Sequence, residues 1–457
     1  MQTSNVGTGV RDAWGERLPR RLGLMSAVAV LVGSTIGSGI FRVPASVAGR
    51  IPESGPFLLA WALGGAIVLC GALTYAELAA ALPRSGGVFA YILEAFGPLP
   101  AFLFGWSTLA VIRASALGAI STIFAEYLGY FVPLTATQVQ YVAAGAIILV
   151  GLFNYFGVNV AAVLVNMSTV VKYGALVALA GLAFTIGEGT TANFSPAWGG
   201  GVQLSIMGTA LISIMWTYDG WADLAYLGGE VKDPARNLPL ALVLGTLAII
   251  AIYLVVNVAY VYLVPLPEMA GSALVAATAA ERIPLFGGGG GGGVIAAVVM
   301  ISTFSALLGS MMTGPRVFFA MADRGLFFTA IARVSPRYQS PSVAILLATA
   351  LGVVYVLLND FQQLADKFIL GIWPFYALAV GAVFVLRKKQ PDLVRPYRTW
   401  GYPVVPLLFM GASIAIILNA LWTDPINTGL TFGIILVGVP VYYIWRRSNP
   451  TAGNTES

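Results

Sequence analysis

The chain has 457 residues, 58% of them apolar and only 9% charged, with a mean hydropathy of +0.86. A soluble domain carries about 25% charged residues, so this composition excludes a water-facing globular surface and points to a bilayer. The net charge of +5 does not indicate a nucleic-acid surface, because the basic residues sit in short loops between apolar runs.

Histidine is absent, which removes the usual proton shuttle and the commonest metal ligand. Cys70 is the single cysteine and lies inside an apolar run, so no disulfide framework is expected. About twenty mostly polar residues precede the first apolar run, without a small-residue cleavage site. The first helix is therefore expected to serve as its own uncleaved signal.

Apolar runs of spanning length recur at 22–47, 56–81, 97–131, 138–156, 162–186, 204–229, 239–264, 293–322, 341–358, 363–386, 403–421 and 428–446. Each meets the requirement of about 20 apolar residues for a hydrocarbon core of about 30 Å. Only helices satisfy their own backbone in lipid at such lengths. The expected fold class is an all-α polytopic membrane protein of about twelve transmembrane helices. With the N-terminus inside, 18 of the 24 basic residues fall in inside loops and span ends, against Arg50, Arg282 and Lys367 outside. That asymmetry places both termini in the cytoplasm and the chain in the cytoplasmic membrane.

The first run contains G-S-T-I-G-S-G-I-F at 33–41. Each mid-span glycine weakens a helix by about 1 kcal/mol relative to alanine. Two readings follow: close helix packing through Gly33 and Gly37 as a small-xxx-small pair, or an unwound stretch whose free amides bind an anionic group such as a carboxylate. The sixth run contains a second break, W-T-Y-D-G-W at 216–221. A repeat of five plus five helices in inverted orientation places its two broken helices first and sixth.

Asp219 lies in this second break, and a carboxylate at mid-membrane is functional by default. It can cap the second half of helix 6, contact substrate directly, or do both. Lys172 lies about 15 Å into its span, near the midplane. It acts either as a fixed cation held by carbonyls and hydroxyls or as a site of proton exchange. Arg42 and Arg113 are nearer span ends, where snorkelling is expected. The seven glycines at 287–293 read as a low-complexity loop at a helix start. Enzyme motifs are missing: there is no HExxH, GxSxG, Walker A or cysteine–histidine cluster. No catalytic residue, metal or cofactor is expected.

Several segments together resemble the amino acid–polyamine–organocation superfamily of transporters, particularly the L-type branch and its bacterial relatives of the serine/threonine-exchanger kind. They are G-S-T-I-G-S-G-I-F (33–41), G-A-L-T-Y-A-E-L (71–78) followed by S-G-G-V-F-A-Y (85–91), I-R-A-S (112–115), Y-D-G-W (218–221), G-E-V-K-D-P-A-R-N-L-P (229–239) and R-P-Y-R-T-W-G-Y-P (395–403). The resemblance covers nearly the whole chain. It implies a LeuT-type fold with inverted repeats at 22–186 and 204–386, helices 11 and 12 at 403–446, and cytoplasmic tails at 1–21 and 447–457.

The resemblance further implies a substrate site formed by Thr35, Ile36, Gly37, Ser38, Gly39, Trp216, Asp219, Gly220 and Trp373. The substrate α-carboxylate would lie on the amides of Gly37, Ser38 and Gly39, and the α-amino group on carbonyls near Thr35, Trp216 and Asp219. Trp216 matches an aromatic gate, and Trp373 a helix-10 aromatic beside the pocket. Lys172 matches a helix-5 lysine of sodium-independent members, whose ammonium takes the place of a sodium ion near Ser302 and Ser305. The animal L-type proteins have glycine or similar at the position of Asp219, asparagine at Ala222 and I-R-P-S where this chain has I-R-A-S. They also have an external cysteine that links to a glycoprotein.

The expected function is sodium-independent transport of L-amino acids by alternating access, through exchange or proton coupling, as a monomer or weak homo-oligomer without a glycoprotein partner or nucleic acid. The alternatives are a carrier of cationic amino acids or polyamines and a membrane sensor that binds an amino acid without moving it.

Overall fold

A computed structural model describes residues 20–83, 86–156, 160–284, 290–323, 327–333, 335 and 340–448. Most of both expected tails, Arg84, Ser85, Arg324, Arg337 and the glycines at 287–289 lie outside the described residues. The helices in chain order are α1 (Leu24–Thr35), α2 (Val43–Ala48), α3 (Ser54–Ala81), α4 (Gly87–Phe96), α5 (Pro98–Ser107), α6 (Arg113–Leu128), α7 (Ala136–Tyr155) and α8 (Val160–Thr185). They continue as α9 (Leu204–Tyr218), α10 (Pro234–Leu263), α11 (Leu266–Gly271), α12 (Val275–Glu281) and α13 (Gly290–Asp323). The last are α14 (Ser342–Leu358), α15 (Phe361–Lys389), α16 (Val404–Thr423) and α17 (Pro425–Ser448).

Among the described residues, eight helical stretches are long and apolar enough to cross a membrane: α3, the run from Pro98 to Leu128, α7, α10, α13, α15, α16 and α17. Shorter apolar helices include α1, α8 over its described side chains, α9 and α14. Counting α1–α2 and α9 with its following turns as interrupted crossings gives the twelve expected passes. Among the described residues there is no β-strand, and the one bridge joins Leu22 to Val231.

Local chemistry sets many helix ends. Pro98, Pro234 and Pro425 open α5, α10 and α17, where a missing N–H leaves no bond unmade. Capping boxes Thr135–Gln138 and Asp360–Gln363 start α7 and α15. The third crossing is not one regular helix. Thr108–Ile112 forms a π-helical turn between α5 and α6, and Arg113 follows it directly. The stretch between the seventh and eighth crossings folds into α11 and α12, which bury Met269, Val275, Ala276 and Ala279 on the bundle.

Side-chain contacts fix the directions. Tyr253 of α10 packs on Trp61 of α3, and Ile250 of α10 lies against Gly65 of α3, so the two helices are antiparallel. Leu31 of α1 meets Gly245 of α10, and Thr35 meets Tyr253, so α1 and α10 are parallel. The start of α1 therefore lies at the same end as the last turn of α3. Leu407, Leu408, Ile414 and Leu418 of α16 are exposed, as lipid-facing side chains should be. Trp198 and Trp422 stand exposed at one end of the bundle and Trp400 at the other. These positions suit the aromatic belts of a bilayer.

Candidate functional site

The first break begins where Ile36, with ψ 88°, leaves the helical region at the end of α1. A single 3-10 turn, Gly39–Phe41, and the short α2 follow. The amide of Ile36 still bonds to Val32, and those of Phe41 and Arg42 bond to Ser38 and Gly39. The amides of Gly37, Ser38 and Gly39 have no hydrogen-bond partner among the described residues. A side chain added at Gly37 would meet only the Thr35 carbonyl, at 3.8 Å, so this backbone faces open space. A helix interrupted here presents donors at the start of its second half, which is the geometry of an anion site.

The second break starts after Tyr218, where Asp219 turns extended and Gly220 takes φ +106°. Only glycine adopts that angle readily. The chain then continues as 3-10 turns at Asp223–Tyr226 and Gly228–Glu230. The two breaks cross in backbone contact. A Cβ on Gly220 would lie 2.8 Å from the Ser34 carbonyl and the Thr35 nitrogen, and one on Gly39 would lie 2.8 Å from Thr217 Oγ1. Ser34 Oγ lies 3.1 Å from the Gly220 carbonyl and can donate to it. Tyr253 of α10 holds its hydroxyl 2.9 Å from the Thr35 carbonyl and 3.0 Å from that of Thr217, so it clamps the ends of both helices.

Thr35, Ile36, Gly37, Ser38, Gly39, Trp216, Asp219 and Gly220 therefore occupy one crossing, joined by Thr217, Ser34 and Tyr253. Lys172 joins it from α8: its buried Nζ donates to the Gly33 carbonyl at 3.0 Å, one turn before the break. Ser302 and Ser305 are buried on α13, which packs against α8, and the Ser302 hydroxyl has no hydrogen-bond partner. Trp216 sits edge-on to Phe368 of α15, with ring centroids 4.8 Å apart.

Two placements differ from expectation. Trp373 stacks on Phe409 of α16 at 5.3 Å and 19°, and Phe409 in turn touches Trp221 of the second break. Its place beside α15's Tyr376 in sequence was legible, but which face of α15 turns to helix 6 was not. Tyr376 is the α15 aromatic bonded at the break, donating to Asp219 Oδ1 at 2.9 Å. Asp219 itself is not the cap of the following 3-10 turn. Ala222 holds that position without a side-chain cap hydrogen bond. The reason is that Gly220 redirects the chain between Asp219 and the turn.

Arg42 and Arg113 do not snorkel. Arg42 Nε lies 2.8 Å from Glu126 Oε2, with both side chains 17% exposed, and its guanidinium covers the Phe361 ring at 5.0 Å. Arg113 points inward and donates to Ser310 of α13 at 3.0 Å. Gly314 makes room for it, since a Cβ there would lie 2.6 Å from Arg113 Nε. An interior partner removes the drive to reach the bilayer surface. The arginine in I-R-A-S was visible; Ser310 and Gly314, nearly two hundred residues away, gave no signal that they face it.

A further polar centre went unread. Glu77, 2% exposed near the end of α3, accepts from Arg387 at 2.9 and 2.7 Å, from the Thr399 amide at 2.7 Å and from its hydroxyl at 2.8 Å. Arg395 Nε lies 3.5 Å away. The segments 71–78 and 395–403, both singled out in the sequence, are thus halves of one clasp.

Comparison with known proteins agrees with this architecture. A family profile for amino acid permeases matches residues 22–444. The chain is 32% identical to the human b(0,+)-type amino acid transporter 1 over 95% of its own length and 91% of that protein's. It is 31% identical to the serine/threonine exchanger SteT of Bacillus subtilis (strain 168), over 93% and 97% of the two chains. The human cystine/glutamate transporter is 30% identical over 94% of this chain and 86% of its own. With a broken, helix-crossing site at its centre and these matches across almost its whole length, this chain belongs to the amino acid permease family, multi-pass membrane transporters of amino acids rather than enzymes.

Proposed function

We propose that this protein is a sodium-independent carrier of L-amino acids that works by alternating access, by exchange or with proton coupling. The observation that carries sodium independence is the Lys172 ammonium, bonded at 3.0 Å to the Gly33 carbonyl beside the first break. A fixed cation on a helix-end carbonyl fills the electrostatic role that a sodium ion would play there. The α-carboxylate is assigned to the free amides of Gly37, Ser38 and Gly39, and the α-amino group to the carbonyl ends near Thr35, Trp216 and Asp219. Names of relatives that contain "exchanger" or pair two amino acids support exchange.

The halves 22–186 and 204–386 are read as the two inverted repeats, whose first members, α1 and α9, run in opposite directions. The arginine and lysine asymmetry supports cytoplasmic termini. The single cysteine, Cys70, lies inside α3, which supports a protein that works without a disulfide-linked partner.

Purified protein in proteoliposomes preloaded with unlabelled amino acid tests the reading. Labelled L-amino acid uptake should proceed equally in sodium and in choline medium. If none of the L-amino acids is taken up under any internal load or pH gradient, the reading fails. A second reading, transport of cationic amino acids or polyamines, is favoured by the half-buried Asp219 carboxylate at the break. Under it, Asp219→Asn removes arginine or putrescine transport and spares neutral substrates; equal effects on both classes reject it.

A further inference from the structure

The connection between α15 and α16 is held from inside and exposes large apolar side chains among its charges. The hold comes from buried bonds. Glu77 holds Thr399 by two hydrogen bonds, and Arg395 donates to the carbonyls of Leu393 at 2.8 Å and of Leu386 and Gln390 at 3.0 Å. The Arg387 guanidinium lies 3.7 Å from the centre of the Tyr402 ring. Between and beside these anchors, Val394 is 76% exposed and Trp400 73% exposed. A tryptophan is amphipathic, and at a membrane surface its ring sits at headgroup level.

The charges next to it match that layer. Residues 387–403 carry five basic side chains and one acidic one, Asp392. Glu77 engages Arg387 and Arg395, and Lys389 donates to the Ala95 carbonyl at 3.0 Å. Lys388 and Arg398 are exposed and have no ion-pair or hydrogen-bond partner among the described residues. Arg398 is held next to Trp400 because its neighbour Thr399 is pinned to Glu77. Two uncommitted cations, Lys388 in the last turn of α15 and Arg398 two residues before Trp400, are thus carried at the open end of two spans on a backbone that the buried bonds preorganise. Little entropy remains to be lost when a ligand docks on it.

We infer that this loop is a docking site for the headgroup of an anionic phospholipid, with the phosphodiester taken by Lys388 and Arg398 and Trp400 seated in the glycerol layer. The clasp on Glu77 carries the effect to α3 and α15, so the bound lipid stabilises the whole bundle. Each basic side chain near an anionic surface adds attraction that falls off within a Debye length.

Thermal melting of the purified full chain in neutral detergent, with added phosphatidylglycerol or phosphatidylcholine, tests this without any need for substrate. Phosphatidylglycerol should raise the melting temperature by a few degrees more than phosphatidylcholine. The double variant Lys388→Ala, Arg398→Ala should lose that difference while melting like the parent in phosphatidylcholine, and Trp400→Ala should reduce it. Arg236→Ala, which removes an exposed cation at the start of α10, should keep it. Equal shifts for the two lipids, or a phosphatidylglycerol effect that survives the double variant, would overturn the inference. So would inorganic phosphate reproducing the full shift, since the ligand would then be a free anion.

Discussion

The Tyr376 hydroxyl donates to the Asp219 carboxylate at 2.9 Å and so ties the middle of α15 to the break in helix 6. A hydrogen bond to a charged group contributes about 1.5–3 kcal/mol. Tyr376→Phe is therefore expected to lower the thermal stability of the purified protein by an amount in that range. Asp219→Asn keeps an acceptor for Tyr376 and should fold more stably than Tyr376→Phe. Equal melting of parent and Tyr376→Phe would show the bond to be idle.

The glycines of the first break should separate folding from binding. Gly39→Ala places a methyl 2.8 Å from Thr217 Oγ1 and 2.9 Å from its Cα, so the two broken helices must move apart. Overpacking of this kind destabilises by about 1–3 kcal/mol. Gly37→Ala meets only a carbonyl at 3.8 Å and should melt like the parent. If the amides there bind the substrate carboxylate, Gly37→Ala weakens amino-acid binding by about tenfold, read from the ligand-induced shift in melting temperature.

Gly220→Ala combines a φ of +106° with a Cβ 2.8 Å from backbone atoms of Ser34 and Thr35. Neither contact is a flexible side-chain end, so neither can yield by rotation. The variant is expected to be the least stable of the glycine substitutions, or not to accumulate, as seen by size-exclusion yield beside Gly37→Ala.

Lys172→Met removes the ammonium from the Gly33 carbonyl while keeping most of the side-chain volume. Uptake by proteoliposomes should fall at least about tenfold, since one lost charge-assisted bond is worth about 1.5–3 kcal/mol. The protein should remain monodisperse. Full uptake by Lys172→Met would remove the ammonium from the mechanism.

Glu77→Ala leaves Arg387 and Arg395 facing each other without their shared carboxylate. Breaking a buried pair by removing one partner costs about 3–5 kcal/mol. The lower end of that range is expected here, because Arg387 is 24% exposed and Arg395 retains its carbonyl acceptors. Denaturant titration in detergent would register the loss.

The residues that announced themselves in the sequence did so through local chemistry. Glycines at 33, 37 and 39 stand out because they weaken a helix at mid-span, and Asp219 and Lys172 because an ion in hydrocarbon needs a reason to be there. Arg42 and Arg113 misled for the same reason. Their depth along the span was legible, but their partners Glu126 and Ser310 lie on other helices. Trp373 shows the third case: its place on α15 was known, but which side of α15 packs against helix 6 is set by contacts with the neighbouring helices.

Composition and hydropathy alone determined that the chain is a bundle of about twelve membrane helices, because a helix satisfies the polar backbone groups of an apolar segment within the segment itself when no water is present. The positions of both breaks were also local properties, set by glycine and by buried charge. Only the tertiary structure decided that the breaks touch, with Gly220 against Ser34 and Gly39 against Thr217, that Tyr253 clamps both, and that Glu77 gathers a loop more than three hundred residues away. Those contacts depend on how helices rotate and cross, and rotation is set by packing against neighbours rather than by any one helix's own sequence.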